Sequence, residues 1–409
     1  MARTSTFSAL LSEVAQATGS KPFLMDDETL GPITYKQLYQ FYRGLEENLD
    51  TLGIPVGAPI GTIFHNCGLA AILFLSVIAS RRVLVPMNPL STKQELEYML
   101  RQAHCDLVIF DPDHVRVPQF ECKRSIVVSD HAAYFHGVTS CGHPFSYSRS
   151  SSDIQPQSAG EVVYTSGSTG RPKGILLSQG SLLSDAAALA RVYELKSSDR
   201  FLTVCPLFHN SGQVLTTLAC AMVGGSTIAI RSSAGMLNFW SYIDKYRANW
   251  TLGMVSFLAL LLSKPEEPKH PEVVRGLLTG GSVIDPKLVE QFESRFKVPV
   301  RAVYGLTESA SISTCEYLDP SPRSIGSSGR PLPICDVRIG ADLDTLAQFP
   351  AHASRGPGEI WISGPNIFDG YIGDPEMTKQ RKSRDWLRTG DIGYFDEHGN
   401  LFVVDRLTR

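Results

Sequence analysis

No two of the eight cysteines, scattered between Cys67 and Cys335, stand in a C-x-x-C pair. That spacing excludes a disulfide framework and gives no zinc-site signature, so the thiols are expected to be reduced and mostly structural. Net charge is nearly absent too, at −3 from 38 basic and 41 acidic residues, which leaves no electrostatic case for nucleic acid or an anionic membrane as a partner. Long apolar runs are missing: the longest, Leu69 to Ser80, is too short to span a bilayer and reads as a buried helix. The opening residues Met1-Ala2-Arg3-Thr4 lead into no signal-peptide core, and the chain shows no internal repeat and no low-complexity tract. The remaining expectation is a soluble, cytoplasmic protein. Its 409 residues, 43% hydrophobic and 19% charged, are too many for one simple core.

What the chain does have is a stretch unlike any other in it, Tyr164-Thr165-Ser166-Gly167-Ser168-Thr169-Gly170-Arg171-Pro172-Lys173-Gly174. Three Gly and four hydroxyl residues between Thr165 and Gly174 cannot form a strand or helix interior, because Gly carries too much backbone entropy and Ser and Thr compete for local hydrogen bonds. The apolar runs Val162-Val163-Tyr164 and Ile175-Leu176-Leu177 flank it, giving strand, loop, strand. Backbone N–H groups, hydroxyls and one ammonium suit a polyphosphate. A Walker-type loop is rejected by spacing: counted from Gly167, Pro172 stands where Gly belongs, and Gly174 stands where the magnesium-binding hydroxyl belongs.

Periodicity places the other elements. Leu10, Leu11, Val14 and Ala15 predict a helix over Phe7 to Ala17. Thr34 is the expected N-cap of a second helix carrying Leu38, Phe41 and Leu45 on one face. Strands are expected at Ile60–Phe64, Val83–Met87, Leu107–Phe110 and Ile126–Val128, alternating with helices as in α/β architecture. His131 to Gln157 reads as a surface connection. Its histidines, His131, His136 and His143, are expected to be solvated, since no carboxylate or Cys cluster accompanies them in the sequence. Beyond the loop come a helix over Ser181 to Tyr193 and strands at Phe201–Val204, Ser226–Ile230, Trp250–Met254 and Gly276–Thr279. From Arg323 the texture turns to short strands and Gly/Pro turns, with a hairpin around Gly399-Asn400.

The stretch Tyr164 to Gly174 resembles the signature of the adenylate-forming superfamily, which comprises acyl- and aryl-CoA ligases, luciferases and peptide-synthetase adenylation domains. Four further segments fall in the family's order: Tyr304-Gly305-Leu306-Thr307-Glu308, Gly358-Glu359-Ile360-Trp361-Ile362 through Gly370-Tyr371, Thr389-Gly390-Asp391, and Asp405-Arg406. The resemblance covers nearly the whole chain. It implies an α/β fold of two subdomains with packed sheets (residues 1–322) and a smaller β-rich, distorted-barrel subdomain (323–404). A hinge stub follows at 405–409, where the family continues into a small C-terminal domain. Arg81-Arg82 departs from the family, which usually places small residues before the following strand.

The implied reaction is attack of a carboxylate on the α-phosphorus of ATP, giving an acyl-adenylate and pyrophosphate. Transfer to the thiol of CoA, or of a carrier protein's phosphopantetheine, follows. Thr165, Ser166, Gly167, Ser168, Thr169 and Gly170 are the expected phosphate cradle, with Lys173 adding a cation. By the same resemblance the Tyr304 ring lies on adenine, Thr307 meets the α-phosphate and Glu308 holds Mg2+, for which one carboxylate beside phosphate oxygens is chemically sufficient. Gly281 and Ser282 border adenine, Asp391 takes the ribose diol, and Arg406 assists at ribose or phosphate. His209 follows an apolar run and resembles the histidine at the carboxylate end of acyl- and aryl-CoA ligase pockets. Asn210, Ser211, Met254, Phe257, Gly280, Gly305 and Ser309 are the candidate pocket lining. Amino-acid-activating domains pair the substrate ammonium with an Asp in this region. Asn210-Ser211 offers none, so an aromatic or short-to-medium acyl acid is favoured over an α-amino acid.

Overall fold

The computed structural model describes residues 6–25, 30–115, 122–140, 157–165, 171–231, 237–318, 323–347 and 356–407. Ser166 to Gly170 and His143 lie outside them.

The first helix, Phe7–Thr18, buries Phe7, Leu10, Leu11, Val14 and Ala15. The second, Tyr35–Thr51, opens on a capping box in which Thr34 and Gln37 satisfy each other's backbone N–H groups. Both pack on the apolar helix Gly68–Ala79. That helix has almost every residue buried, and among the described residues no helix is long and apolar enough to cross a membrane. The Arg81-Arg82 departure has a physical resolution. Arg82 is fully buried, and its guanidinium is satisfied by Asp50, the Ile54 carbonyl and the Ser80 carbonyl. A buried cation paired through both terminal nitrogens is tolerated where an unpaired one is not, although the Arg82 Nε keeps no partner among the described residues.

Three sheets organise the chain. A seven-stranded sheet runs, edge to edge, Gly370–Tyr371, Lys173–Ser178, Ala159–Thr165, Val83–Met87, Pro59–Ile63, Leu107–Phe110, Arg124–Val127. Its last five strands are parallel, and their side chains are buried on both faces except on the edge strand Arg124–Val127. A nine-stranded sheet runs Arg330–Pro331, Thr314–Cys315, Val300–Tyr304, Gly276–Gly280, Trp250–Met254, Arg200–Thr203, Ser226–Ala229, Pro22–Leu24, Ile33–Thr34. Its six strands from Val300–Tyr304 to Pro22–Leu24 are parallel, so their C-terminal ends share one edge. The third sheet is antiparallel: Asp336–Ile339, Gly358–Ser363 and Trp386–Phe395, the last also pairing Lys382–Ser383 and Leu401–Arg406. The expected distorted barrel is thus a five-stranded open sheet among the described residues. Gly399, at φ +77, turns the final hairpin.

Within the expected surface connection, His131–Thr139 is a helix capped by Asp130. Burial there is one-sided: His131, Phe135 and Val138 point inward. The single Asp cap and the short amphipathic spacing were hidden by the Ser/Gly-rich residues that follow.

The strand entering the phosphate loop holds one charge-bearing oddity. Glu161 is fully buried, with the Gln213 amide against its carboxyl, and burial pushes its pKa from 4.5 up to about 8. The folded chain therefore retains a proton that the unfolded chain loses above its ordinary carboxylate pKa. Stability falls as pH rises from about 4.5 to about 8 and levels off beyond. Glu161→Gln removes this ionisation. Its unfolding midpoint, measured by calorimetry, is expected to gain on wild type by the equivalent of about 2 kcal/mol or more between pH 5 and pH 9. A pH-independent difference contradicts the assignment.

Candidate active site

The shared C-terminal edge of the nine-stranded sheet collects most of the expected site. Met254 and Gly280 are register partners at the ends of adjacent strands, and Met254 is 55% exposed there. Gly280 leaves no room for a Cβ, which would stand 2.4 Å from the Val303 carbonyl oxygen. Gly281 follows in the left-handed region at φ +84, where a side chain is strained, and Ser282 is exposed. These residues make a flat, backbone-lined rim suited to a planar ring.

The strand Val300–Tyr304 then delivers the loop Tyr304–Ile312, which touches all three sheets. The Tyr304 hydroxyl donates to Asp391 Oδ2 at 2.8 Å, reaching the antiparallel sheet. Tyr371, on the edge strand of the seven-stranded sheet, donates to Glu308 Oε1 at 2.6 Å. The Phe368 N–H donates to the Glu308 carbonyl at 2.8 Å. Burial and the Glu308 charge push the Tyr371 pKa up, so the phenol stays a donor.

Asp391 and Arg406 face each other on paired strands, with Arg406 Nε 3.4 Å from Asp391 Oδ1. Asp391 is buried, and desolvation raises its pKa while Tyr304 and Arg406 favour the anion. One carboxylate thus sits between a phenol and a guanidinium. Thr165 and Lys173 pair across the hairpin that closes beneath the phosphate loop, at the same sheet edge as the ends of Val83–Met87 and Pro59–Ile63.

On the facing side, His209 is exposed beside Phe208, their ring centroids 4.9 Å apart, and the surrounding protein holds its pKa below the usual histidine value. Ser211 is half-buried next to Cys205. Three lining expectations need correction. Asn210 is buried and donates to the Thr307 and Ala310 carbonyls, so it ties the His209 segment to the Glu308 loop. Ser309 is fully buried, and its hydroxyl bonds both the N–H and the carbonyl of Leu306. Phe257 is buried in the apolar core edge-to-face with Phe239, 5.1 Å away. Gly305 serves the loop by closeness: a Cβ there would stand 2.3 Å from the Ser311 carbonyl oxygen.

Two supporting residues were missed from sequence. Asp185 is fully buried on the helix Gln179–Val192, accepts from the Ile312 N–H at 3.2 Å and faces Asn366. Asn366 in turn donates to the Ser309 and Ile312 carbonyls at 3.2 and 3.0 Å. Together they hold the far end of the loop, where Ala310 adopts φ +61. The sequence signal that could have found the clamp is the lone carboxylate among the apolar residues of Gln179–Val192.

Residues 11–372 match the AMP-binding enzyme family. The chain belongs to that family. A sulfoacetate–CoA ligase of Cupriavidus necator is 29% identical to this AMP-binding enzyme over 407 residues, which are 98% of this chain and 78% of that protein. An oxalate–CoA ligase of Arabidopsis thaliana is 28% identical over 421 residues, 98% of this chain and 79% of that protein. The inhibitor-bound N-terminal domain of FACL13 from Mycobacterium tuberculosis has the same fold. Its TM-score is 0.84 at 24% identity, covering 98% of this chain and all of that one.

If Asp391 grips the ribose of the nucleotide, Asp391→Asn keeps an acceptor for Tyr304 but loses the charge. The affinity for AMP, measured calorimetrically, is expected to fall by about tenfold to a hundredfold, the range for a hydrogen bond to a charged group. An unchanged affinity removes Asp391 from the nucleotide site.

Proposed function

We propose that this AMP-binding enzyme activates a small carboxylic acid bearing a second acidic group, using ATP, and passes the acyl group to the thiol of CoA. The observation that carries the reading is the convergence of Tyr304, Glu308 and Asp391, from two sheets, on the strand-end edge that also presents His209. A carboxylate oxygen attacks the α-phosphorus, the bond to pyrophosphate breaks, and the acyl-adenylate remains. A thiolate then attacks the acyl carbon and AMP leaves. Acyl carrier protein is the second acceptor this chemistry admits, and the cytoplasm is the compartment that suits a CoA-dependent enzyme with seven described cysteines outside disulfides.

The chain's own residues divide the work. Two anions must meet, so charge must be neutralised and geometry held before reaction. Asp391 and Tyr304 position the nucleoside. Lys173 stands at the end of the phosphate loop. Glu308, with one oxygen held by Tyr371, keeps the other for a hard divalent cation, and its donor set suits Mg2+, which would screen the phosphate charge.

The second acidic group is assigned to Arg231 and His65. Both lie two residues beyond parallel strands, Ser226–Ala229 and Pro59–Ile63, and their charges interact. Asn66, adjacent to His65, bonds the Cys205 carbonyl and the Leu207 N–H, so this corner borders the segment leading to His209. The two acids named in the relatives, sulfoacetate and oxalate, each carry a second anion, which agrees with a cation placed there. The aromatic or short-to-medium acyl acid expected from sequence is compatible with this corner where it carries a second anion for Arg231.

Pyrophosphate release should therefore be faster with short dicarboxylates or sulfocarboxylates than with matched monoacids. Arg231→Gln should raise the KM for the former by about tenfold or more while leaving monoacids unaffected. Equal turnover of both classes by the wild type contradicts the dianion assignment. Unimpaired adenylate formation by Glu308→Gln contradicts its metal role.

A further inference from the structure

Beside the proposed acid-binding corner lies a cluster that the activation chemistry does not use. Cys67, His114 and His131 are all buried, and each offers a ligand atom within 4.8 Å of the other two. They come from three separate places in the seven-stranded sheet's C-terminal edge. Cys67 follows the strand Pro59–Ile63, His114 follows Leu107–Phe110, and His131 opens the helix after Arg124–Val127. No pair of them is close enough in sequence to make a metal motif, which is why the cysteine spacing gave no zinc signature and His131 read as solvated. His136, on the same helix as His131, is exposed as expected. His131 is not: its Nε2 is 2.7 Å from Asp111 Oδ2.

We propose that Cys67, His114 and His131 bind a zinc-type divalent transition metal, with Asp111 as the carboxylate that orients both imidazoles.

Asp111 Oδ2 faces Nε2 of His131 at 2.7 Å and Nε2 of His114 at 3.4 Å, and Asp111 Oδ1 is fixed by the Asp113 N–H at 2.8 Å. With Nε2 of each ring facing this carboxylate, Nδ1 would be the metal-binding nitrogen. A carboxylate behind a metal-binding imidazole is the usual way to fix its tautomer and raise its basicity. The Nδ1 of His114 accepts the His65 N–H at 3.2 Å, and the metal would displace that single contact. The rings of His114 and His131 stand perpendicular with centroids 5.5 Å apart, so their nitrogens converge without stacking.

Tetrahedral zinc places its nitrogen and sulfur ligands roughly 3.3–3.7 Å from one another, so no pair need close by more than about 1.5 Å. Cys67 stands at the N-cap of the helix Gly68–Ala79, a position that favours the thiolate. Binding releases the thiol proton to solvent as the metal–sulfur bond forms, with no change of oxidation state. One dication, one thiolate and the Asp111 carboxylate sum to zero, which burial requires. Arg231 and His65 are the other charged or titratable groups that act on His114. With three protein ligands the fourth position falls to water or another small donor.

The consequence is mechanical. Asn66, between His65 and Cys67, grips the Cys205 carbonyl at 2.8 Å and the Leu207 N–H at 2.7 Å. A metal on Cys67 would brace the segment that carries His209, a role that rests on the proposed function, whereas metal binding itself does not.

Cobalt(II) titration of the metal-stripped, reduced protein tests the proposal. The expected result is one tightly bound cobalt per chain, with a near-ultraviolet thiolate-to-cobalt band and intense visible tetrahedral bands. Zinc should displace the cobalt and magnesium should not. Cys67→Ser should lose the thiolate band, and Asp111→Asn should weaken binding by about tenfold to a hundredfold. Zinc should also raise the unfolding midpoint of wild type but not of Cys67→Ser. Absence of the thiolate band in wild type overturns the proposal, whatever the variants do. So does a band that survives in Cys67→Ser, since it would come from another cysteine.

Discussion

The loop from Tyr304 to Ile312 must reach three sheets at once, and the buried Asp185–Asn366 pair is what makes that possible. Asp185 holds the Ile312 N–H, and Asn366 holds the Ser309 and Ile312 carbonyls. Asn210 secures the opposite flank through Thr307 and Ala310. With its backbone polar groups satisfied from both sides, a short irregular segment tolerates a positive φ at Ala310 in a buried setting. Tyr304 and Glu308 can then project in different directions, one to Asp391 and one to Tyr371. Fixed in this way, the site loses little freedom when it meets substrate, and preorganised charge is worth most where water is excluded.

Parallel strands explain where the site lies. Six neighbouring strands of the nine-stranded sheet end on the same edge, and ligands in open α/β sheets bind in the crevice beyond such ends. The seven-stranded sheet contributes the phosphate-loop hairpin, His65 and the Cys67 cluster from its own C-terminal ends. The antiparallel sheet contributes Asp391 and Arg406. The groups assigned to the proposed site therefore come from stretches more than 300 residues apart in the chain.

Local elements were legible in the sequence because their causes are local. The Thr34 cap, the apolar helix after Cys67 and the strand Val83–Met87 each follow from a few adjacent residues. The motif residues Tyr304, Glu308 and Asp391 were legible through resemblance, since composition alone gives no reason for a tyrosine to meet an aspartate 87 positions away. What stayed hidden depended on side-chain direction across sheets. Phe257 and Ser309 turn inward where the pattern allowed a pocket. Asn210 reaches over to the Glu308 loop. His131 finds Asp111 and Cys67 only because three parallel strands end side by side. The helix His131–Thr139 was missed for a simpler reason, being a short element beside a Ser/Gly-rich tract.

The central claim is that these converging residues form one adenylate site. Calorimetric titration with non-hydrolysable acyl-sulfamoyl adenosines measures it most directly, because such analogues occupy the nucleotide and acyl positions together without any chemical step. The account predicts saturable binding at one site per chain, tightest for an acyl group ending in a second acid. No binding by any acyl, aryl or aminoacyl member, with AMP also silent, would contradict it.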